Sequence, residues 1–229
     1  MATDTAVENG YAYWLLDSPA LAERQWQQVL QVEPTNAEAR LGLALGQAAA
    51  GDLLQAAETL AAAVDQDPAF AWAAAWQGEF LRLAGERQQA REAYQRALSS
   101  QEGAPAALAL YGLALLDEEE SHYDQAEAGF RQALQANPFF FEAYLGLARC
   151  QKARGQLDEA VASLRRGIEI YPLYAPFHLL LGQILSAQGQ TVLGQQEIDR
   201  ALQLDPSLVA AGYASTGGEA QGGETQKSH

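Results

Sequence analysis

The 229-residue chain has one cysteine, two lysines and only eleven valine and isoleucine residues together. A lone thiol, Cys150, excludes an internal disulfide and any multi-cysteine metal site. The shortage of β-branched aliphatics, set against 46 Ala, 32 Leu and 25 Gln, argues against a sheet protein and for helices. Positive charge is scarce too. The 29 acidic and 14 basic residues leave a net charge of −15, which repels phosphate backbones and excludes nucleic acid as an expected partner. Long hydrophobic runs are also missing. The longest uncharged apolar stretch, 104–116, carries Pro105 and Gly112 and falls short of the roughly 20 residues that cross a bilayer, so no membrane span is expected. Residues 1–10 lack the basic-then-apolar pattern of a secretory signal, and the chain reads as cytoplasmic.

What the sequence has is a period. Pro34, Pro68, Pro138, Pro172 and Pro206 are spaced by 34, 70, 34 and 34 residues, with Glu102 where a sixth proline is due. Self-comparison on that period aligns small residues at Gly10, Ala44, Gly78, Gly112, Ala148 and Gly182, and again at Ala22, Ala56, Ala90, Ala126, Ala160 and Gly194. A bulky column follows at Trp26, Leu60, Tyr94, Phe130, Leu164 and Ile198. These columns place two extra residues within Asp117 to Asp124, giving copies 3–36, 37–70, 71–104, 105–140, 141–174 and 175–208 and a disordered tail over 209–229. Spacings of three and four put the columns on one side of a helix. Gly51, Gly85, Gly155 and Gly189 sit where a left-handed residue closes one helix before the next, and each proline ends the second helix. Each copy is therefore a helical hairpin, with helices expected near 37–50 and 53–66. A hairpin cannot bury both of its faces alone, so the copies must stack.

Copy by copy the pattern resembles the tetratricopeptide repeat, in the segment Tyr144, Leu147, Ala148, Gly155, Ala160, Leu164, Pro172 above all. The resemblance implies an all-α, right-handed superhelical solenoid of six hairpins. The first helix of each would line a concave groove that holds a short peptide or amphipathic helix of a partner protein. Carried over, the groove columns are Val7, Leu41, Ala75, Ala109, Leu145 and Leu179; Tyr11, Leu45, Glu79, Leu113, Arg149 and Gln183; and Trp14, Ala48, Arg82, Leu116, Lys152 and Ser186. The Lys and Asn that carboxylate-gripping family members carry in the first two of these columns are absent from both, and the neighbouring column, Glu8, Gly42, Trp76, Leu110, Gly146 and Leu180, has no asparagine ladder.

Charges sum to −4, −4, 0, −5, +1 and −2 over the six copies. Arg149 and Lys152, three apart on one helix, are expected first to neutralise the acidic run Asp117 to Glu120 on the neighbouring copy; the alternative is that, with Arg82 two copies earlier, they anchor an acidic side chain or carboxylate of the partner. That run is expected to form a longer, frayed connection, since four acids oppose the dipole at a helix C-terminus. Of the aromatics near the turns, Trp72, Phe139 and Phe141 exceed what packing between copies requires. Cys150 reads as a buried, inert thiol, and His122 and His178 as isolated. No phosphate-binding glycine loop, serine elbow, metal-binding or cofactor motif is found, so a non-catalytic adaptor is expected. Val192, Leu193, Ile198 and Leu202 in the last hairpin have no evident cover, and residues 209–211 are too few for a further helix. Self-association through the C-terminal repeat is therefore the alternative expectation.

Overall fold

The computed structural model describes residues 2–100 and 103–210. Among these residues twelve α-helices pair into hairpins: α1 (Ala2–Leu15) with α2 (Pro19–Val32), α3 (Ala37–Ala49) with α4 (Leu53–Gln66), and α5 (Ala71–Leu83) with α6 (Arg87–Ala97). They are followed by α7 (Gly103–Glu119) with α8 (Tyr123–Ala136), α9 (Phe141–Ala153) with α10 (Leu157–Ile170), and α11 (Ala175–Ala187) with α12 (Thr191–Leu204). No strand occurs among the described residues. The hairpins divide into two compact units, residues 1–140 and residues 141–229.

The local causes are those the sequence shows. Glu33, Asp67, Asn137, Tyr171 and Asp205, each just before a proline, leave the helical region with φ between −146° and −125° and ψ between 80° and 99°. Gly51, Gly85, Gly155 and Gly189 take the left-handed conformation at φ of 95°, 86°, 76° and 81°. Asp17 (φ 55°) and Ser121 (φ 62°) do the same in the first and fourth hairpins, although each carries a Cβ. Asn36 caps α3, its side-chain oxygen accepting from the Ala39 amide at 2.9 Å.

One boundary differs from the sequence reading. Ser121 takes the conformation that Gly51 or Gly85 takes fifteen residues into its copy, which puts the start of the fourth copy at 107. The two extra residues therefore precede Gly112, and the third and fourth copies become 71–106 and 107–140. With no proline to stop it at Glu102, the chain leaves α6 in the helical region at Leu98 and runs on as a 3-10 turn over Leu98–Ser100. The added length appears at the front of α7, which starts at Gly103 and ends at Glu119, and the turn after it is no longer than the others. Asp117 to Glu119 are thus the ordered last turn of a helix, not a frayed connection.

The new register makes the core pattern regular. The small column becomes Gly10, Ala44, Gly78, Ala114, Ala148 and Gly182, all buried. In the first unit Trp26 is clamped between Gly10 and Gly42, where an added Cβ would come within 2.3 and 2.2 Å of its ring. Tyr94 is held in the same way between Gly78 and Gly112, at 2.5 and 2.1 Å. In the second unit the Phe177 ring lies on Gly167. Each unit thus gains its core by placing a ring of one hairpin against a glycine of a neighbouring hairpin, and Trp26, Tyr94 and Phe177 are fully buried.

At the C-terminal end a single helical turn, α13 (Ser207–Ala210), follows Pro206, where no further helix was expected. Leu208 joins Ile198 and Leu204 against Ala175, Leu179 and Ala201, so Ile198 is half-buried while Val192 and Leu193 stay exposed. The rest of the expected disordered tail, 211–229, lies outside the described residues.

The register is testable by stability. Leu116→Ala, emptying a fully buried site, should lower unfolding free energy by about 3 kcal/mol. Leu113→Ala, at a half-buried site, should cost about 1 kcal/mol. Equal shifts of the urea midpoint would contradict the assignment. Gly155→Ala, whose Cβ would enter open space, should cost about 1 kcal/mol through backbone conformation alone.

Candidate functional site

The first helices of the hairpins carry two columns that are never fully buried. In the first unit these are Tyr11, Leu45, Glu79 and Leu115, and Trp14, Ala48, Arg82 and Glu118; in the second, Arg149 and Gln183, and Lys152 and Ser186. The adjoining column is more deeply set: Val7, Leu41, Ala75 and Leu179 are buried, Tyr111 and Leu145 partly so. Each first helix therefore presents a strip beside its packed face, three and four residues apart along the helix.

Most of the residues singled out in the sequence fall on this strip. Leu45, Glu79, Arg82, Leu145, Arg149 and Gln183 are partly exposed and Lys152 is exposed, its ammonium 3.3 Å from the Gln183 side-chain oxygen. Leu41 is only 8% exposed and floors the strip. Two residues of the fourth copy do not belong to it. Leu116 is wholly buried in the core with Tyr94 and Ala93. Leu113 faces a pocket on the other side of α7, lined by Arg91, Gln95 and Gln132. The shift of register by two is the cause, and it brings Leu115 and Glu118 to the places that Leu113 and Leu116 were expected to fill. Only the missing proline at Glu102 hinted at where the gap lay.

The strip is apolar at one end of the first unit and ionic at the other. At α1 and α3, Tyr11 and Trp14 pack on Trp26 with ring centroids 5.4 and 6.2 Å away, and the Tyr11 hydroxyl donates to the Glu38 carbonyl at 3.1 Å. Burial and the nearby Glu38 charge push the Tyr11 phenol up to about 12. At α5 to α7 the charges are spent on one another. Arg82 donates to both Glu79 oxygens at 3.1 and 2.8 Å and to Glu119 at 3.1 Å. The Tyr94 hydroxyl donates to Glu79 at 2.7 Å, and burial followed by that carboxylate raises its pKa far above the ordinary phenol value. Burial by itself would lower the Arg82 pKa, and Glu79 more than reverses the effect.

The acidic run finds its partners on α5 and α6. Arg87 meets Glu119 at 3.4 Å, and Arg91 meets Asp117 at 2.9 Å and Glu120 at 3.4 Å. Asp117, Glu120 and His122 offer ligand atoms within 4.8 Å of one another, but both carboxylates already face Arg91. These arginines explain why four acids do not unravel the end of α7, and their role is not visible from spacing along one helix.

The surplus aromatics separate. Phe139 is 76% exposed, Trp72 packs partly buried on the first unit's core, and Phe141 stacks on Tyr171 at 4.8 Å with 14° between the rings. Cys150 is buried, as expected. His178 is not isolated: it is buried, with Nδ1 2.7 Å from Glu197 and Nε2 2.9 Å from the Pro172 carbonyl oxygen. Sequence reasoning also missed Glu127, a buried carboxylate paired with Arg131 one turn along α8.

Tyr94→Phe removes one donor from the Glu79 carboxylate and leaves the ring in place. The expected loss of stability is about 1.5 kcal/mol in urea unfolding; no loss would show that the hydroxyl contributes nothing to the network.

Comparison with known proteins places this geometry. Two family models, both described as Tetratricopeptide repeat, match residues 7–71 and 118–184. No curated protein matches. The chain is similar to a chain of the APC/C hetero-tetramer Cut9-Hcn1, with TM-score 0.81 and 18% identity over 93% of this chain, although it spans only 42% of that one. It is also similar to pilF of Pseudomonas aeruginosa, with TM-score 0.79 and 17% identity over 92% of this chain and 97% of the other. A third likeness is YrrB, with TM-score 0.58 and 18% identity over 82% and 96%. No described helix is long and apolar enough to cross a membrane.

Proposed function

Since the chain belongs to the tetratricopeptide repeat family, we propose that it is a non-catalytic interaction protein holding a peptide or helix of a partner protein against the strip of its first helices. The observation that carries this reading is the contrast between columns. The small column is buried in every hairpin, whereas Tyr11, Leu45 and Leu115 beside it keep part of their apolar surface in water. Half-exposed apolar surface of this kind is what a partner can still desolvate, at about 25 cal/mol per Å² before the costs of association. YrrB, of the same fold, is described as a TPR protein with an unusual peptide-binding site, so peptide binding is compatible with this architecture. Hairpins over 3–208 form the binding module in this reading, which works in the cytoplasm without a cofactor.

A second reading, self-association through the last hairpin, is favoured by Val192 and Leu193, which are 71% and 49% exposed beside a pocket floored by Ile168, Leu181 and Leu185. Sedimentation velocity over a hundredfold range of concentration decides it: a concentration-dependent dimer abolished by Leu193→Glu is the expected sign, and a monomer throughout removes the idea.

The principal reading is tested by capture from an extract of the source cells, with Leu45→Glu and Ala48→Glu combined as the control. The double variant should keep its helical circular dichroism and lose the captured partner. Retention of the same proteins by the variant would overturn the reading.

A further inference from the structure

Charge is divided unevenly between the two units. Residues 1–140 hold 20 acidic and 7 basic residues, none of them lysine, whereas residues 141–229 hold 9 and 7. The net charge of −15 is therefore almost entirely a property of the first unit. The acids of its fourth hairpin meet Arg82, Arg87 and Arg91, but Glu8 of α1 and Glu38 of α3 do not. Glu8 and Glu38 are exposed, and neither carboxylate meets a cation among the described residues.

These two carboxylates lie where the apolar strip begins. Glu8, Tyr11 and Trp14 follow one another at intervals of three along α1, and Glu38, Leu41, Leu45 and Ala48 at intervals of three and four along α3, so each series keeps to one side of its helix. The bond from the Tyr11 hydroxyl to the Glu38 carbonyl brings the two series together. The result is one patch with an acidic end at Glu8 and Glu38 and an apolar end at Trp14, Leu45 and Ala48. The acidic and apolar ends are about 9 Å apart along α1, at 1.5 Å per residue. Tyr11 and Trp14 add ring faces that favour a cation over an anion.

Resting on the reading that the first helices bind a partner segment, we propose that the α1–α3 patch selects a basic one: a segment whose apolar side chains cover Trp14, Leu45 and Ala48 while a lysine or arginine one to two turns away meets Glu8 and Glu38. The unpaired carboxylates set which sequences are accepted and how fast they arrive, and the apolar end supplies most of the affinity. An acidic segment is repelled by the same two groups and by the field of the whole unit.

The test uses the full chain and two synthetic 18-residue amphipathic peptides with the same leucine face, one with lysine and one with glutamate on its polar face, followed by fluorescence anisotropy. The lysine peptide should bind at least about tenfold more tightly than the glutamate peptide, and E8K with E38K should weaken it about tenfold. E58K with D65K makes the same change of net charge on exposed positions of α4 and should alter binding less than about twofold, because those residues lie off the patch. Equal weakening by the two pairs would show only general attraction to an acidic protein and would overturn the proposal; so would equal binding of the two peptides. Leu45→Asn, which changes no charge, separates the underlying reading: if it abolishes binding of both peptides while E8K with E38K has no effect, the strip binds partners without selecting basic ones. If Leu45→Asn has no effect on a bound peptide, the strip itself is not the site and both fail.

Discussion

The structure depends on a ring held between glycines. Trp26 fits between Gly10 of its own hairpin and Gly42 of the next, and Tyr94 between Gly78 and Gly112, with no room for a Cβ at any of the four. A large side chain gives each hairpin more apolar area than its own two helices could bury, and the small partners let the next first helix come close enough to cover it. The core is therefore assembled one neighbour at a time. Alanine is abundant for the same reason: Ala39, Ala73 and Ala109 in the first unit are wholly buried at equivalent places, and a larger side chain there would push successive helices apart.

That packing fixes what remains outside. With the small column turned inward, helical geometry leaves Tyr11, Leu45, Glu79 and Leu115 on the shoulder of the same helices, partly exposed. The shoulder is thus a consequence of stacking, and its chemistry is free to vary. In the first two hairpins it is aromatic and aliphatic; in the third and fourth it is an ion-pair network running from Tyr94 through Glu79 and Arg82 to Glu119. A network this well satisfied has little left to offer a ligand, so recognition falls to the apolar stretch and to carboxylates that the arginines do not reach.

The fold was legible because each of its devices repeats. A proline after the second helix, a left-handed glycine between helices and a small residue against a bulky one recur at fixed intervals, and the structure realises them residue by residue at Pro34, Gly51 and Ala44. Legibility failed where the repetition did. Without a proline at Glu102 the third hairpin has no fixed end, and Gly112 offered a false match to the small column, when its true place is the slot that Gly42 occupies one ring earlier. Leu113 and Leu116 were misassigned with it. The strip itself was legible elsewhere, at Leu45, Glu79, Arg82, Arg149 and Gln183. Contacts between helices were not: that Arg82 reaches Glu119, or that His178 reaches Glu197, depends on rotamers that no periodicity encodes.

The claim on which everything else rests is that the ring in its glycine slot holds the first helices in place. Hydrogen-exchange mass spectrometry of Gly42→Leu addresses it directly, since the new side chain would occupy the space of the Trp26 ring. The account predicts exchange at least about tenfold faster across α1 to α3 with α9 to α12 unchanged, as expected of a core built from neighbour contacts. Unaltered protection of α1 to α3 in that variant would contradict it.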